Sequence, residues 1–315
     1  MNNSSRIVTL TMNPCLDISG EVERLEPEHK MRCKNIRFDP GGGGINVSRV
    51  ITILGGTSTA MFPSGGSIGK RLDNMLKAQN VDSRPFVTEQ FGRQSFAVRA
   101  RDDNNQYRFA LPGPQTSEKT WRACLNAVAE CTPRPSYVVA SGTLPPGVPD
   151  TFYAQLAERF ENSSTRLVLD TSGEPLKHAL EQGVFMVKPN QRELESFCSC
   201  SLAEETEQER VCRELVEAGN CEVLALSLGS EGALLTTPDN QYRAAGLDVR
   251  QVSSIGAGDS FVAGMVVSLQ QGKETEEAFL YGMACGTAAL VTEATELCHR
   301  EQVAELYTRL QNTQQ

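Results

Sequence analysis

Apolar positions along this chain change period repeatedly, and each change marks an element. Residues 6–12 alternate and are rich in β-branched side chains, which predicts a core strand. Two extended, partly exposed segments follow at 18–23 and 31–38. Val47, Val50, Ile51 and Leu54 then keep helical spacing up to Gly55-Gly56. A strand at 59–62 and a helix at 68–78 come next. Extended segments at 94–101 and 106–110 follow, joined as a hairpin by Asp102-Asp103-Asn104-Asn105. Beyond a helix at 121–130, strands are predicted at 137–140, 167–169, 185–187 and 223–228. Helices near 151–160, 174–180, 193–197 and 204–218 lie among them, and the apolar run 261–269 makes one more.

Such alternation predicts an α/β fold with a mainly parallel central sheet and helices on both faces. The two extended pairs fall outside it and read as a small β lid, segments of about 18–38 and 93–111, on one domain covering 1–315. There is no internal repeat or long linker, and 311–315 read as a frayed tail.

Composition narrows the class. With 39% hydrophobic and 22% charged residues, 315 residues suit a soluble globular protein with a large core. A net charge of −9 speaks against nucleic acid or an anionic membrane as partner, but not against a small anion held by a local Arg/Lys cluster. No apolar run spans a bilayer, and the first residues lack a signal-peptide core, so the expected location is the cytoplasm. Ten cysteines are scattered without paired C-x-x-C spacing, which supports neither a zinc site nor a disulfide framework.

Candidate chemistry concentrates in turns at strand ends. Gly256-Ala257-Gly258-Asp259 opens the helix over 261–269, whose first N–H groups and dipole would cradle an anion. Asp259 there is either a helix cap or a base taking a proton from an attacking hydroxyl. Asn13-Pro14-Cys15-Leu16-Asp17 is a turn presenting Asp17 at the carboxyl end of the first strand, where open α/β sheets bind ligands.

Pro40-Gly41-Gly42-Gly43-Gly44-Ile45-Asn46 lets backbone approach a ligand, but the G-x-G-x-x-G dinucleotide spacing fails. Ser64–Arg71 fails as a phosphate-binding P-loop, with Ser64 for its first Gly and Arg71 for its Ser/Thr. Asn190 and Glu193 either serve a metal–phosphate cluster or form a capping box. Residues 227–232 either wrap a nucleotide or make a plain turn. Ser141-Gly142-Thr143 and Phe91-Gly92-Arg93 are polar turns that say little alone.

Together these turns resemble the ribokinase-like (PfkB) carbohydrate kinases, nearly end to end, from Thr9–Asp17 to Thr295–Cys298. The glycine segment 41–46 and Gly256-Ala257-Gly258-Asp259, in that order, are the two family signatures. Within the family, residues 40–47, 106–109, 141–148 and 188–191 look most like the minor, ribokinase-type 6-phosphofructokinases. The 1-phosphofructokinases and tagatose-6-phosphate kinases share most of the pattern but more often carry lysine where this chain has Gly43.

The resemblance implies the following roles. Asp259 is the base, and Gly256, Ala257 and Gly258 form the anion hole. Asp17, Gly42, Gly43 and Asn46 hold the sugar, with Lys30, Arg32, Arg93 and Thr143 around its phosphate. Lys188, Asn190, Ser227, Gly229 and Gly232 serve the nucleotide, and Glu193 serves Mg²⁺, directly or through water. The lid would also form a homodimer contact. Thr292-Glu293-Ala294 replaces an Asn-x-Gly beside the branch's monovalent-cation site, which weakens the case for potassium.

The expected activity is ATP- and Mg²⁺-dependent phosphorylation of fructose 6-phosphate at C1. The alternatives are 1-phosphofructokinase or tagatose-6-phosphate kinase activity, or a non-catalytic sugar-phosphate-binding regulator, which would not need Asp259.

Overall fold

The computed structural model describes residues 6–89, 92–103, 105–293 and 295–313. The chain opens with β1 (Ile7–Leu10), leaves for β2 (Cys15–Val22) and β3 (Lys34–Gly41), and returns through α1 (Gly43–Ile53) to β4 (Ser58–Gly65), α2 (Gly66–Ala78) and β5 (Asp82–Thr88). A second excursion makes β6 (Arg93–Ala100) and β7 (Gln106–Ala110). Then come α3 (Glu118–Ala129), β8 (Tyr137–Ser141), α4 (Phe152–Glu158), β9 (Arg166–Asp170), α5 (Glu174–Gln182), β10 (Val184–Val187), α6 (Gln191–Cys198), α7 (Glu205–Glu217) and β11 (Cys221–Ser227). The hairpin β12 (Gly232–Thr236) and β13 (Gln241–Ala245) precedes α8 (Ala257–Gln270), α9 (Thr275–Leu290) and α10 (Arg300–Thr313).

Among the described residues, nine strands form one sheet in the order β13-β12-β11-β10-β9-β8-β1-β4-β5. It is parallel from β5 to β11 and antiparallel at β12 and β13. Strand β1 lies between β4 and β8, and all four of its residues are buried. Period-two alternation divides its side chains between two cores. Val8 and Leu10 join Val138, Ala140, Leu167 and Leu169 beneath α3 to α7. Ile7 joins Tyr137, Val139 and Val168 beneath α1, α8, α9 and α10. Helix α8 is buried at every position from Ser260 to Ser268, the mark of a helix packed on all sides. Among the described residues, no helix is long and apolar enough to cross a membrane.

The lid is a separate four-stranded sheet, β3-β2-β6-β7, with β2 and β6 parallel and both outer pairs antiparallel. Its boundaries differ from those expected. Strand β2 begins at Cys15, so Asp17 sits in a lid strand and not in a turn after β1: Cys15 and Leu16 are buried and already pair with Gly41 and Pro40. Strand β3 starts only at Lys34 and tolerates Pro40 because it is an edge strand. In the hairpin turn, Asn104 lies outside the described residues.

Several elements lacked a sequence signal. Strand β5 is an edge with no clean alternation, and the β12–β13 hairpin hid behind the glycines at 229 and 232. Helices α9 and α10 also went unpredicted, and α10 carries helix through Thr313, into what read as a frayed tail; Val303, Leu306 and Leu310 anchor it. Residues 314–315 lie outside the description.

Candidate active site

The carboxyl ends of β8 and β9, the start of α8 and the glycine segment meet the underside of the lid around a cavity of about 340 Å³. Asp259 stands at its floor on the first turn of α8. The turn that delivers it needs a left-handed residue at the N-cap, and Gly256 takes φ 75° there. Asp259 Oδ1 accepts from Ser141 Oγ at 3.2 Å, and Oδ2 accepts from Asn46 Nδ2 at 3.0 Å. Burial raises its pKa to about 6, helped by the neighbouring Asp170 carboxylate; the Asn46 and Ser141 donors and the Lys188 charge pull the other way. A carboxyl so poised is ionised at neutral pH yet still able to accept a proton.

Asn46 reaches Asp259 because the glycine segment is helical earlier than the apolar pattern suggests. Helix α1 starts at Gly43, and Thr11 Oγ1 accepts the Ile45 N–H at 2.7 Å, satisfying one of the helix's open donors. The helix start also packs tightly on β8. A Cβ on Gly43 would stand 2.7 Å from the Ser141 carbonyl carbon and 2.8 Å from the Gly142 nitrogen, so only glycine fits this backbone.

The lid supplies the roof. Asp17 accepts from the Cys15 thiol at 2.7 Å. Burial pushes the Asp17 carboxyl up, against the Cys15 hydrogen bond and the charges of Arg93, Arg108 and Arg49. Arg93 and Arg108 both line the cavity. Arg93 donates through Nη2 to the Asn13 carbonyl at 3.2 Å, while its buried Nε has no hydrogen-bond partner among the described residues. Thr143 Oγ1 accepts from Asn13 Nδ2 at 3.1 Å on the cavity wall.

Gly42, Gly43 and Gly256 line the same cavity, and so does Glu193. Ala257 and Gly258 continue the α8 start beside it, with a Cβ on Gly258 only 3.3 Å from Lys188 Nζ. Lys188 is buried at the end of β10, and its Nζ lies 3.3 Å from Asp170 Oδ1. Burial alone would lower the lysine, but Asp170 and Glu193 outweigh it and hold the ammonium. Asn190 and Glu193 form the capping box of α6: each side chain accepts the other's N–H at 2.9 Å. The capping box is therefore formed, and Glu193 lines the cavity at the same time. Burial raises Glu193, opposed by the Asn190 N–H and Lys188.

Ser227 adjoins Asn190 through a parallel bridge, with its N–H on the Pro189 carbonyl at 3.0 Å. Gly229 starts a 3-10 turn, and Gly232, at φ 111°, begins β12. Ser227 ends β11, Gly229 and Gly232 lie between it and β12, and none of the three is among the cavity's lining.

Lys30 and Arg32 are not brought to this cavity within the chain. They lie in the exposed loop after Val22, and the extended chain from Asp17 to Val22 alone carries the backbone roughly 16 Å away. Arg32 lines a different hollow with Glu21 and Glu23. Phe91 lies outside the described residues, as does Ala294. Next to the latter, Thr295 Oγ1 donates to Asp39 in the lid, and Arg37 pairs with Glu296 at 3.7 Å.

Among the cavity residues given no role from sequence are Ser141, noted only as part of a polar turn, Asp170 and Arg108. The first two end apolar strands with a polar residue, the rule that drew attention to Asp17, and that signal was available for both. Arg108 gave none, because facing the cavity depends on the β6–β7 register, which pairs it with Ala97.

The match to the pfkB family carbohydrate kinases extends over residues 8–302. The chain belongs to that family. Among its members, the ATP-dependent 6-phosphofructokinase isozyme 2 of Mycobacterium tuberculosis (strain ATCC 25618 / H37Rv) is 42% identical over 302 residues, 96% of this chain and 89% of that protein. A crystal structure of the phosphofructokinase-2 from Escherichia coli in complex with fructose-6-phosphate superposes with TM-score 0.92 at 35% identity, covering 98% of this chain and 99% of that one. The same enzyme has been solved in complex with potassium. A 1-phosphofructokinase of Bacillus subtilis (strain 168) is 31% identical over 310 residues, 98% of this chain and 99% of that protein.

Proposed function

We propose that this PfkB-family kinase transfers the γ-phosphoryl group of ATP to the C1 hydroxyl of fructose 6-phosphate, giving fructose 1,6-bisphosphate. One observation carries the reading: a single cavity holds a carboxylate with a pKa of about 6 at a helix N-terminus and, across from it, two lid arginines. The carboxylate suits a hydroxyl to be deprotonated, and the arginines suit a second anion on the same small substrate. The 42% identity to a 6-phosphofructokinase, against 31% to a 1-phosphofructokinase, favours the 6-phosphate acceptor.

In this mechanism Asn46 and Ser141 hold Asp259 against the acceptor hydroxyl. Asp259 takes the proton as the oxygen attacks. The N–H groups from Gly256 to Gly258 meet the charge that develops on the transferred group. Lys188, Asn190, Ser227, Gly229 and Gly232 lie on the nucleotide side, while Asp17, Gly42, Gly43, Thr143 and Arg93 hold the sugar phosphate. Lid strands over the cavity exclude water that would otherwise hydrolyse ATP.

The family uses ATP with a divalent metal, and Glu193 fits Mg²⁺. One of its oxygens is engaged by Asn190 N–H, so the ion would meet a carboxylate together with water and phosphate oxygens, the set Mg²⁺ favours. When bound, Mg²⁺ supplies charge neutralisation on the phosphates.

The working unit is a cytoplasmic homodimer joined lid to lid. Met31, Ile36, Phe38, Tyr107, Phe109 and Leu111 are six of the seven large apolar side chains exposed among the described residues, and all lie on or beside the lid. Such a patch needs a cover. A second copy is also the means by which Lys30 and Arg32 would come to serve a sugar phosphate.

The deciding experiment measures kcat/KM for fructose 6-phosphate, tagatose 6-phosphate, fructose 1-phosphate and free ribose under one set of conditions. Fructose 6-phosphate is expected to lead. A lead for another sugar phosphate would transfer the assignment to that sibling activity, and a lead for ribose would overturn the role given to the arginines.

A further inference from the structure

Arg49 is a charged residue in an enclosed place: it is 5% exposed on the inner side of α1. Its donors spread over three elements. Nε reaches Gln79 Oε1 at 2.8 Å; Nη1 reaches the Pro40 carbonyl at 3.0 Å and Asn46 Oδ1 at 3.3 Å; Nη2 reaches Asp39 Oδ1 at 3.3 Å. A guanidinium only donates, so the Asn46 atom facing it has to be the carbonyl oxygen. The other end of that carboxamide is then Nδ2, which donates to Asp259. With the amide turned over, an oxygen would face the carboxylate and two donors would face each other. Asp39 belongs to lid strand β3 and is itself held by Arg37 at 2.8 Å and by Thr295.

We infer that Arg49 is a positioning residue for phosphoryl transfer: it fixes the Asn46 carboxamide so that Nδ2 faces Asp259, and through Asp39 and Pro40 it ties that contact to the lid. The inference rests on the reading of Asp259 as the base. Charges and donors reach Asp259 from several elements: Asp170 at the end of β9, Lys188 after β10, Ser141 on β8, and Asn46 with Arg49 on α1. Asp17, Arg93, Arg108 and Glu193 line the same cavity. Of these, the Asn46 donor is the one whose sign reverses when its amide turns. Losing it leaves burial and Asp170 less opposed, so Asp259 holds its proton to higher pH.

The test uses full-length Arg49→Met and Asp39→Asn. For each, kcat/KM for fructose 6-phosphate is measured across pH, together with KM for ATP and the melting temperature. Arg49→Met is expected to move the acid limb of kcat/KM up by about one pH unit and to lower kcat about tenfold at neutral pH, with KM for ATP unchanged. Asp39→Asn removes the charge that Arg49 pairs with but leaves its donors on Asn46. It should lower the melting temperature and leave the limb in place. Should Arg49→Met fail to fold, Arg49→Lys carries the same test, since it keeps a charge against Asp39 without the forked reach to Asn46.

An unmoved limb in a folded Arg49 variant overturns the inference, and so does an equal shift in Asp39→Asn, which would signal general loosening. Near-normal kcat in Asp259→Asn would instead overturn the base itself. A dead Asp259→Asn beside an unmoved Arg49 limb leaves the base standing and removes only this inference.

Discussion

Ser141 Oγ lies 3.2 Å from Asp259 Oδ1 and 118 residues away from it in sequence, where the end of strand β8 meets the first turn of α8. The same oxygen is 3.4 Å from Asp170 Oδ2, so one hydroxyl, with a single proton to donate, can bridge to either carboxylate. That bridge keeps Asp259 aimed into the cavity, and removing the carboxylate is the first test of its role. Asp259→Asn preserves shape and loses the proton acceptor. Its kcat should fall roughly 10²- to 10⁴-fold with KM for ATP nearly constant, measured by ADP release at saturating substrates. Near-normal turnover would reduce Asp259 to a helix cap.

The same substitution should stabilise the protein at neutral pH. The folded-state pKa of Asp259, about 6, stands above the unfolded value of 3.8. The folded form therefore binds the proton more tightly, and this group's contribution is fully present below the unfolded pKa and lost as pH rises through 6. Asp259→Asn removes the penalty of ionising there, on the order of 1–3 kcal/mol. Melting curves should show the variant more stable than wild type above pH 6, with the gain shrinking toward pH 4. A gain that grows on acidification would reverse the sign of the argument.

Arg93 lines the cavity, and its buried Nε has no hydrogen-bond partner among the described residues. Arg93→Ala should raise KM for fructose 6-phosphate roughly 10- to 100-fold, the scale of a lost charged hydrogen bond, and KM for ATP far less. Equal effects on both substrates would mean that the arginine serves the fold of the lid.

Gly43→Ala tests the packing of α1 on β8. The added methyl would press on the Ser141–Gly142 peptide, displacing the hydroxyl that holds Asp259. A loss of about 1–3 kcal/mol in stability and a lowered kcat are expected. Unchanged melting and turnover would show that the helix start can yield.

The apolar lid face predicts association. Sedimentation of the wild type should find a dimer, and Ile36→Asp or Phe109→Asp should shift it toward monomer, since each places a charge in the patch. A monomeric wild type, with and without substrates, would leave the patch without its proposed cover.

The chain's local patterns determined a good deal. β-Branched runs between helical stretches settle the layered α/β architecture, because alternation divides each strand's side chains between two apolar cores, as it does Ile7 and Val8. The glycine-bounded turn before Asp259 likewise needed only local chemistry: a left-handed Gly256 ahead of an apolar helix. Even the capping box at Asn190 and Glu193 was readable, being a contact three residues apart.

What tertiary structure alone decided are the relations across long separations. Asn46 donates to Asp259 across 213 residues, and Asp39 joins Thr295 across 256. No period or motif encodes such pairs, since they arise only once β1, β8 and β9 lie side by side in the sheet and α1 packs against α8. For the same reason Lys30 and Arg32, which by resemblance belong to the sugar phosphate, fall away from Asp17 once β2 proves to be one extended strand. Extended backbone separates quickly what sequence keeps near.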